Sequence, residues 1–391
     1  MTSPSEQAEY LLRNAVEALP AGELERQLAR GVPLRVKLGI DPTAPDIHLG
    51  HTVVLGKLRE FQELGHTVVL IIGDYTARVG DPSGRSAMRP VLSGEEIDHN
   101  AETYQRQAFK ILDPARTEVR RNGEWLDMPA EDLFRLARHA TVAQLLARED
   151  FSNRWNAQQP ISVLELLYPL LQGYDSVAIE SDVELGGTDQ HFNLLLGREI
   201  QQVYGVHPQS ILTMPILPGT DGVARMSKSS ANYIGVDEPP EEIFGKVMSI
   251  PDEVMPTYYT LLTHERFDPD EHPNEAKRRL ARILVARFHG DEAAADAERH
   301  FDRLFKRHQA PEDVPEFPLP DADPVHLPAL LREAFGISGA EARRLLAGGG
   351  VKLNGEALGA DELDVGADRL PGAILQLGKR RFVRLVDGGT G

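Results

Sequence analysis

Between Arg35 and Ile72 the sequence changes period twice, and that change dictates an α/β layer. Val36, Leu38 and Ile40 alternate with Arg35, Lys37 and Gly39, the two-residue period of a strand. Val54, Leu58, Phe61 and Leu64 then recur at helical spacing up to Gly65, a natural C-terminal cap. Val68 to Ile72 is a short apolar run suited to a buried strand, so the three pieces make one strand-helix-strand unit. Ser93 with Glu96 forms a capping box ahead of a helix carrying Ile97, Ala101, Tyr104, Ala108 and Ile111. Thr141 with Gln144, and Ser162 with Glu165, repeat that start signal. Apolar runs at Val183 to Leu185 and Ile211 to Leu217 add strands, and residues 1–235 are predicted to form a doubly wound parallel sheet. Ligands of such sheets bind at the carboxyl ends of the strands.

Beyond Pro239 and Pro240 the period is helical. Leu280, Ile283, Leu284 and Phe288 share one face and Phe301, Leu304 and Phe305 another, so residues 236–310 are predicted to be an all-helical module. Prolines at 311, 315, 318, 320, 324 and 328 oppose both a helix and a central strand, and residues 311–328 read as an extended linker. Residues 329–391 remain as a small third domain.

Composition closes several routes to function. The 391 residues include no cysteine, which excludes disulfides, cysteine nucleophiles and thiolate zinc sites, and no zinc is expected. No apolar run approaches the roughly 18 residues of a membrane span. Met1 to Leu19 lacks the basic start and apolar stretch of a secretion signal, so a cytoplasmic location is expected. The net charge of -18 opposes a polyanion at long range, and any RNA contact must come from local basic patches.

Asp46-Ile47-His48-Leu49-Gly50-His51 falls directly between the first strand and its helix. A helix N-terminus presents unpaired N–H groups and partial positive charge on which phosphate settles, Gly50 lets a ligand approach the backbone, and His48 and His51 add donors. Alone, such histidines read equally well as turn decoration or as ligand donors; the strand-turn-helix context points to a nucleotide. Arg225-Met226-Ser227-Lys228-Ser229-Ser230 follows the final strand and a Gly-Thr-Asp-Gly turn. As a mobile loop it would carry Lys228 onto a triphosphate and neutralise charge on departing pyrophosphate. Tyr168, Gln172 and Asp175 fall at i, i+4 and i+7 of the helix opened by Ser162, among Leu164, Leu167, Leu170 and Leu171. A polar trio set among leucines costs stability unless something hydrogen-bonds it.

The two charged segments resemble the paired H-I-G-H and K-M-S-K-S signatures of class I aminoacyl-tRNA synthetases. The Tyr168 to Asp175 stretch, Gly80-Asp81-Pro82-Ser83-Gly84 and Gly186-Gly187-Thr188-Asp189-Gln190 narrow the resemblance to bacterial tyrosyl-tRNA synthetases. That resemblance implies a Rossmann-like catalytic domain over residues 1–235 with an insertion and a dimer interface, and an anticodon-side helical domain over 236–310. It implies a homodimer that joins tyrosine to ATP, releases pyrophosphate and passes tyrosine to the 3' end of its tRNA, with Mg2+ accompanying the ATP. Carried over residue by residue, it gives catalytic roles to His48, His51, Thr43, Lys228 and Arg225, and ATP contacts also to Asp41, Gly50, Gly187, Asp189 and Met226. The substrate ammonium goes to Asp81, Tyr168 and Gln172, the phenolic hydroxyl to Asp175, with Gln190 close by. Phenylalanine would leave that buried partner unpaired and so be rejected.

Three positions depart from the family pattern. Lys37 stands at the phenol end where many members carry a tyrosine, Arg225 replaces the first lysine of the loop, and Leu49 replaces isoleucine. From Ser338 to Gly355 the chain resembles an S4 RNA-binding domain, which implies RNA contacts for Arg343, Arg344 and Lys352, with Lys379, Arg380 and Arg381 near the end. From Leu330 onward nine Lys or Arg stand against eight Asp or Glu, a net +1 that relieves the repulsion locally. Tryptophanyl-tRNA synthetases share both signatures, but they normally lack the S4 tail and this polar trio. Short H-x-G-H nucleotidyltransferases lack the tRNA modules, and a non-catalytic RNA-binding relative would not need His48, His51 and Lys228 together.

Overall fold

The alternation of Arg35 to Ile40 becomes the second strand of a six-stranded sheet in the computed structural model, which describes residues 3–43, 46–83, 93–305, 314–320, 322–359, 362–378 and 381–386. Contacts divide the chain once, into Met1–Phe288 and His289–Gly391, within the stretch expected to be helical. The first unit holds β1 (Glu17–Leu19), β2 (Arg35–Ile40), β3 (Thr67–Ile72), β4 (Thr117–Arg121), β5 (Val183–Gly187) and β6 (Ser210–Met214). Their order is β1-β6-β5-β2-β3-β4, parallel except for β1, which runs antiparallel along β6. From β2 the chain winds outward to β3 and β4, then returns to the other side of β2 for β5 and β6. The reversal between β2 and β5 opens a crevice at their carboxyl ends, where doubly wound sheets bind ligands. Val68, Val69, Leu70 and Ile71 in β3 are fully buried, as a strand covered on both faces requires.

Three features differ from the sequence reading. β1 is too short to show a period, and β4 reads Thr-Glu-Val-Arg-Arg, a polar segment made a strand by pairing along β3 and by the twofold contact of Arg35 with Glu118 at 2.8 and 2.9 Å. β6 stops at Met214 instead of running to Leu217, because Pro215 has no N–H to donate.

Two packed helices back one side of the crevice, and the first of them supplies Tyr168, Gln172 and Asp175 to it. Val163–Ala178 starts at the Ser162–Glu165 capping box, and His191–Val203 packs against it. Their close crossing depends on Gly173, where an added Cβ would stand 2.5 Å from Ile200 Cδ1. Helices Pro240–Ser249, Met255–Leu262 and Pro273–His289 follow.

The second unit begins with helix Asp291–Phe305 and contains β7 (Glu316–Pro318), β8 (Val325–His326), β9 (Val351–Leu353), β10 (Glu356–Ala357), β11 (Asp364–Val365), β12 (Ile374–Leu377) and β13 (Arg381–Val386). Five of these form a sheet in the order β10-β9-β12-β13-β7, and β11 pairs with β8. The expected linker is thus partly sheet. Glu316, Phe317 and Pro318 pair in parallel with Arg384, Leu385 and Val386, on an edge, where proline does not break the ladder. Pro328 sits in the first turn of helix Leu327–Phe335, where a missing N–H is harmless. Leu331, Leu346, Val351, Leu375 and Leu385 form the core of this unit.

Candidate active site

At the crevice between β2 and β5 lies a cavity of about 570 Å³. Of the residues expected in the catalytic domain's site, Asp41, Thr43, His48, Gly50, His51, Asp81, Tyr168, Gln172, Asp175, Gly187, Asp189, Gln190, Arg225, Met226 and Lys228 all line it. Lys37 does not; it stands behind the wall.

One end is built where β2 leads into helix Leu49–Glu63. The first N–H groups of this helix are not open to a ligand, contrary to the sequence expectation. Leu49 N donates to Ile234 O (2.9 Å), Gly50 N to His48 Nδ1 (3.2 Å) and His51 N to His48 O (2.9 Å). His51 Nδ1 in turn accepts from His48 N at 3.2 Å. With each Nδ1 accepting a backbone N–H, each neutral ring keeps its proton on Nε2. Burial, then His51 and Arg225, lowers the His48 pKa to about 2, and burial lowers that of His51 to about 4. Both rings are therefore neutral N–H donors at physiological pH, 3.9 Å apart between centroids.

The Arg225–Ser230 loop meets this end. Lys228 Nζ lies 3.0 Å from Asp46 Oδ2, and Arg225 Nη1 lies 3.2 Å from Asp189 Oδ2. Burial, followed by the charge of Asp81, raises the Asp189 pKa, and Arg225 opposes the rise. Asn232, which is buried, anchors the loop by accepting from Ser227 N (2.9 Å) and donating to Asp221 (2.8 Å). The segment after the loop is itself tied to the histidine segment through Val236 N and Ile47 O at 3.0 Å. Gln107, fully buried, donates to both Asp46 (3.2 Å) and Asp237 (2.8 Å).

The middle of the cavity is rich in acceptors. Tyr168 Oη donates to Asp41 Oδ2 at 2.9 Å, and Thr76 Oγ1 to Asp41 Oδ1 at 2.7 Å. Asp81 accepts from Gln190 Nε2 (3.0 Å) and Ser83 N (2.9 Å). Gln172 Oε1 accepts from Asn193 Nδ2 at 2.8 Å, and Arg148 Nη1 holds Asn193 Oδ1 at 2.8 Å. Gly84, the last residue of the glycine-bounded loop, lies outside the described residues.

At the far end Asp175 is buried from solvent. Trp125 Nε1 donates to its Oδ1 at 2.8 Å, and Asn122 Nδ2 approaches Oδ2 at 3.5 Å. Burial raises its pKa to about 7, opposed by Lys37, Trp125 and Asn122. Behind this wall Lys37 and Glu184, 0 % and 1 % exposed, are paired at 2.9 Å. Removing one partner of such a buried pair costs about 3–5 kcal/mol, so each charge requires the other.

Sequence reasoning missed Asn122, Trp125, Arg148, Ser176, Glu184 and Asn193. Ser176 was within reach, because it continues the i, i+4 row from Gln172. The others come from separate elements and carry no local signal. In the second unit Arg343 and Arg344 are exposed on helix Gly339–Ala347, and Lys352 is half-buried on β9. Arg381 is bonded to the carbonyl of Phe335 and stacks on its ring at 5.1 Å, while Lys379 and Arg380 lie outside the described residues.

The sequence pattern of the class I tRNA synthetases for W and Y matches residues 29–306. Tyrosine–tRNA ligases from Geobacter sulfurreducens and Thermotoga maritima are each 50% identical to this chain, over 98% and 99% of it and 99% of each relative. The tyrosyl-tRNA synthetase of Archaeoglobus fulgidus, solved with L-tyrosine, is similar at a TM-score of 0.64 and 25% identity, covering 76% of this chain and 99% of that one. A truncated mitochondrial tyrosyl-tRNA synthetase from Aspergillus nidulans shares the fold at 0.64 and 21% identity, over 78% of this chain and 95% of that one.

Proposed function

The chain belongs to the tyrosine–tRNA ligases, class I enzymes that activate tyrosine with ATP and transfer it to tRNA, and from that membership we propose how its cavity performs the reaction. Tyrosine lies with its phenolic hydroxyl on Asp175 and its ammonium among Asp81, Tyr168 and Gln172, with Gln190 holding Asp81. A cationic amine needs a carboxylate and further acceptors, and a buried hydroxyl needs a partner. ATP occupies the other end, against Asp41, Gly50, Gly187, Asp189 and Met226, with magnesium accompanying it as part of the substrate.

The tyrosine carboxylate attacks the α-phosphorus, the bond to the bridging oxygen breaks, and pyrophosphate departs. No protein nucleophile takes part. Catalysis consists of holding carboxylate and phosphorus in line and of meeting charge as it develops on phosphate oxygens. His48 and His51 offer Nε2–H donors that stay neutral throughout, with Thr43 beside them. Lys228 and Arg225 exchange Asp46 and Asp189 for the triphosphate. In the second step the terminal ribose hydroxyl of tRNA attacks the adenylate carbonyl carbon and AMP leaves.

What carries this reading is that both charged segments and the Tyr168, Gln172, Asp175 face line one cavity. We further infer that residues 236–310 and the S4-like residues 329–391 hold the tRNA, with Arg343, Arg344 and Lys352 on its phosphates, and that the enzyme works in the cytoplasm. A homodimer is supported by exposed apolar side chains between residues 134 and 164: Phe134 (69 %), Val142 (62 %), Trp155 (63 %) and Val163 (76 %). The test is ATP–pyrophosphate exchange with each proteinogenic amino acid in turn. Exchange driven by tyrosine alone is expected; exchange driven by tryptophan, or by none, would overturn the reading.

A further inference from the structure

The buried Lys37–Glu184 pair has no place in the chemistry above, yet it lies directly behind the helix that carries Asp175. Its geometry is asymmetric. Lys37 Nζ reaches Ser176 Oγ at 2.7 Å and the Gln172 carbonyl at 3.2 Å, which places the cation on the helical turn that bears Asp175. Glu184 shares that turn, accepting from Ser176 Oγ at 3.2 Å and Gln172 Nε2 at 3.3 Å, and is also held from the other side by Gln209. The pair is neutral as a whole, but of its two charges Lys37 acts on Asp175 more strongly than Glu184.

Among the described residues, the groups that act on Asp175 from the elements around it are few. Lys37 comes from β2 and Glu184 from β5, while Trp125 and Asn122 come from the segment after β4 and are uncharged. Lys37 is thus the cation opposing burial there. In a site that excludes water, a single positive charge decides whether a carboxyl keeps or loses its proton.

We propose that Lys37 is a positioning residue for substrate selection: held by Glu184 behind the pocket wall, it favours the ionised form of Asp175 and so makes the pocket demand a phenolic hydroxyl. This rests on the reading that Asp175 faces that hydroxyl. An ionised carboxylate accepts the phenolic proton strongly and is stranded by an unsubstituted ring, whereas a protonated carboxyl discriminates less. Lys37 touches no substrate; it acts through Asp175.

The test compares Lys37→Met, the double variant Lys37→Met with Glu184→Gln, and Asp175→Asn. Tyrosine- and phenylalanine-dependent ATP–pyrophosphate exchange is measured from about pH 6 to about pH 9, with thermal melting as the check on folding. The double variant removes the pair together, so that no buried charge is left alone, and it decides the matter if the single variant does not fold. Near pH 7 the Lys37 variants are expected to raise the tyrosine KM about fivefold, with kcat changed less than about threefold. They should lower the tyrosine-to-phenylalanine preference about tenfold and move the midpoint of the pH profile up by about one unit, so that tyrosine binding recovers towards pH 9. Folded Lys37 variants whose midpoint and preference match the unsubstituted enzyme would overturn the proposal. If instead Asp175→Asn keeps the original preference, the pocket assignment beneath it fails, a result distinct from an unmoved midpoint in the Lys37 variants.

Discussion

The two ends of the cavity use charge in opposite ways. At the nucleotide end Lys228 and Asp46 are 38% and 35% exposed, and Arg225 and Asp189 are 36% and 26% exposed. Ion pairs with that much water around them are worth about 0–1 kcal/mol, so a triphosphate can replace either carboxylate at small expense. At the end proposed for the phenol Lys37 and Glu184 are sealed from water, and Asp175 is held by two donors from the segment after β4. Under the proposed mechanism, charge that must change partners during a turnover is kept loosely, and charge that must select is kept dry. The histidines fall between these cases, being buried like the groups assigned to selection but uncharged, so that in the proposed mechanism they meet phosphate as neutral donors.

If the nucleotide end acts chiefly in the transition state, His48→Ala should lower kcat about 10²- to 10³-fold while the tyrosine KM stays within about threefold. Steady-state exchange kinetics check this; a large rise in KM at unchanged kcat would erase the distinction between the ends. Asp175→Asn should do the reverse, cutting kcat/KM for tyrosine about 10- to 100-fold and leaving phenylalanine almost unaffected.

The pH dependence separates the ends again. Asp175, with its pKa raised to about 7, favours the folded state fully below its ordinary value near 3.8 and loses that contribution as pH rises through about 7. Tyrosine binding has the opposite sign, because the hydroxyl prefers the ionised carboxylate: affinity should rise about tenfold between about pH 6 and about pH 8, and Asp175→Asn should flatten the profile. His48 and His51, depressed to about 2 and about 4, contribute stability that is full above their ordinary value of 6.5 and is lost progressively as pH falls from there to those lower values; in the folded enzyme both stay neutral, so neither should add an inflection near 6.5 to the tyrosine-binding profile. The smallest effect is expected from Asp46→Asn, which frees Lys228 and should lower the ATP KM about two- to fivefold.

Much of the fold was legible because its signals are local. β2, helix Leu49–Glu63 and β3 follow from periodicity, and Ser93, Thr141 and Ser162 each cap the helix their sequence announced. What could not be read depends on distant partners. β4 is a strand because β3 lies beside it, and β7 because β13 does, whatever their own composition suggests. The motif residues converge as expected, but the state of their backbone does not follow from sequence. That the first N–H groups after His48 are already spent, to Ile234 and to His48 itself, is a tertiary fact, and in the proposed mechanism it moves the phosphate donors from the backbone to the imidazoles. Lys37 was placed at the phenol end by position alone; in the fold it stands one layer behind it.

The most direct test of the account, that one cavity reads tyrosine at one end and nucleotide at the other, is calorimetric titration with a non-hydrolysable tyrosyl-adenylate analogue. Enzyme saturated with the analogue should bind neither tyrosine nor ATP, and Asp175→Asn should weaken the analogue and tyrosine together while leaving ATP unchanged. Undiminished ATP binding to the saturated enzyme would place the nucleotide elsewhere and contradict the account.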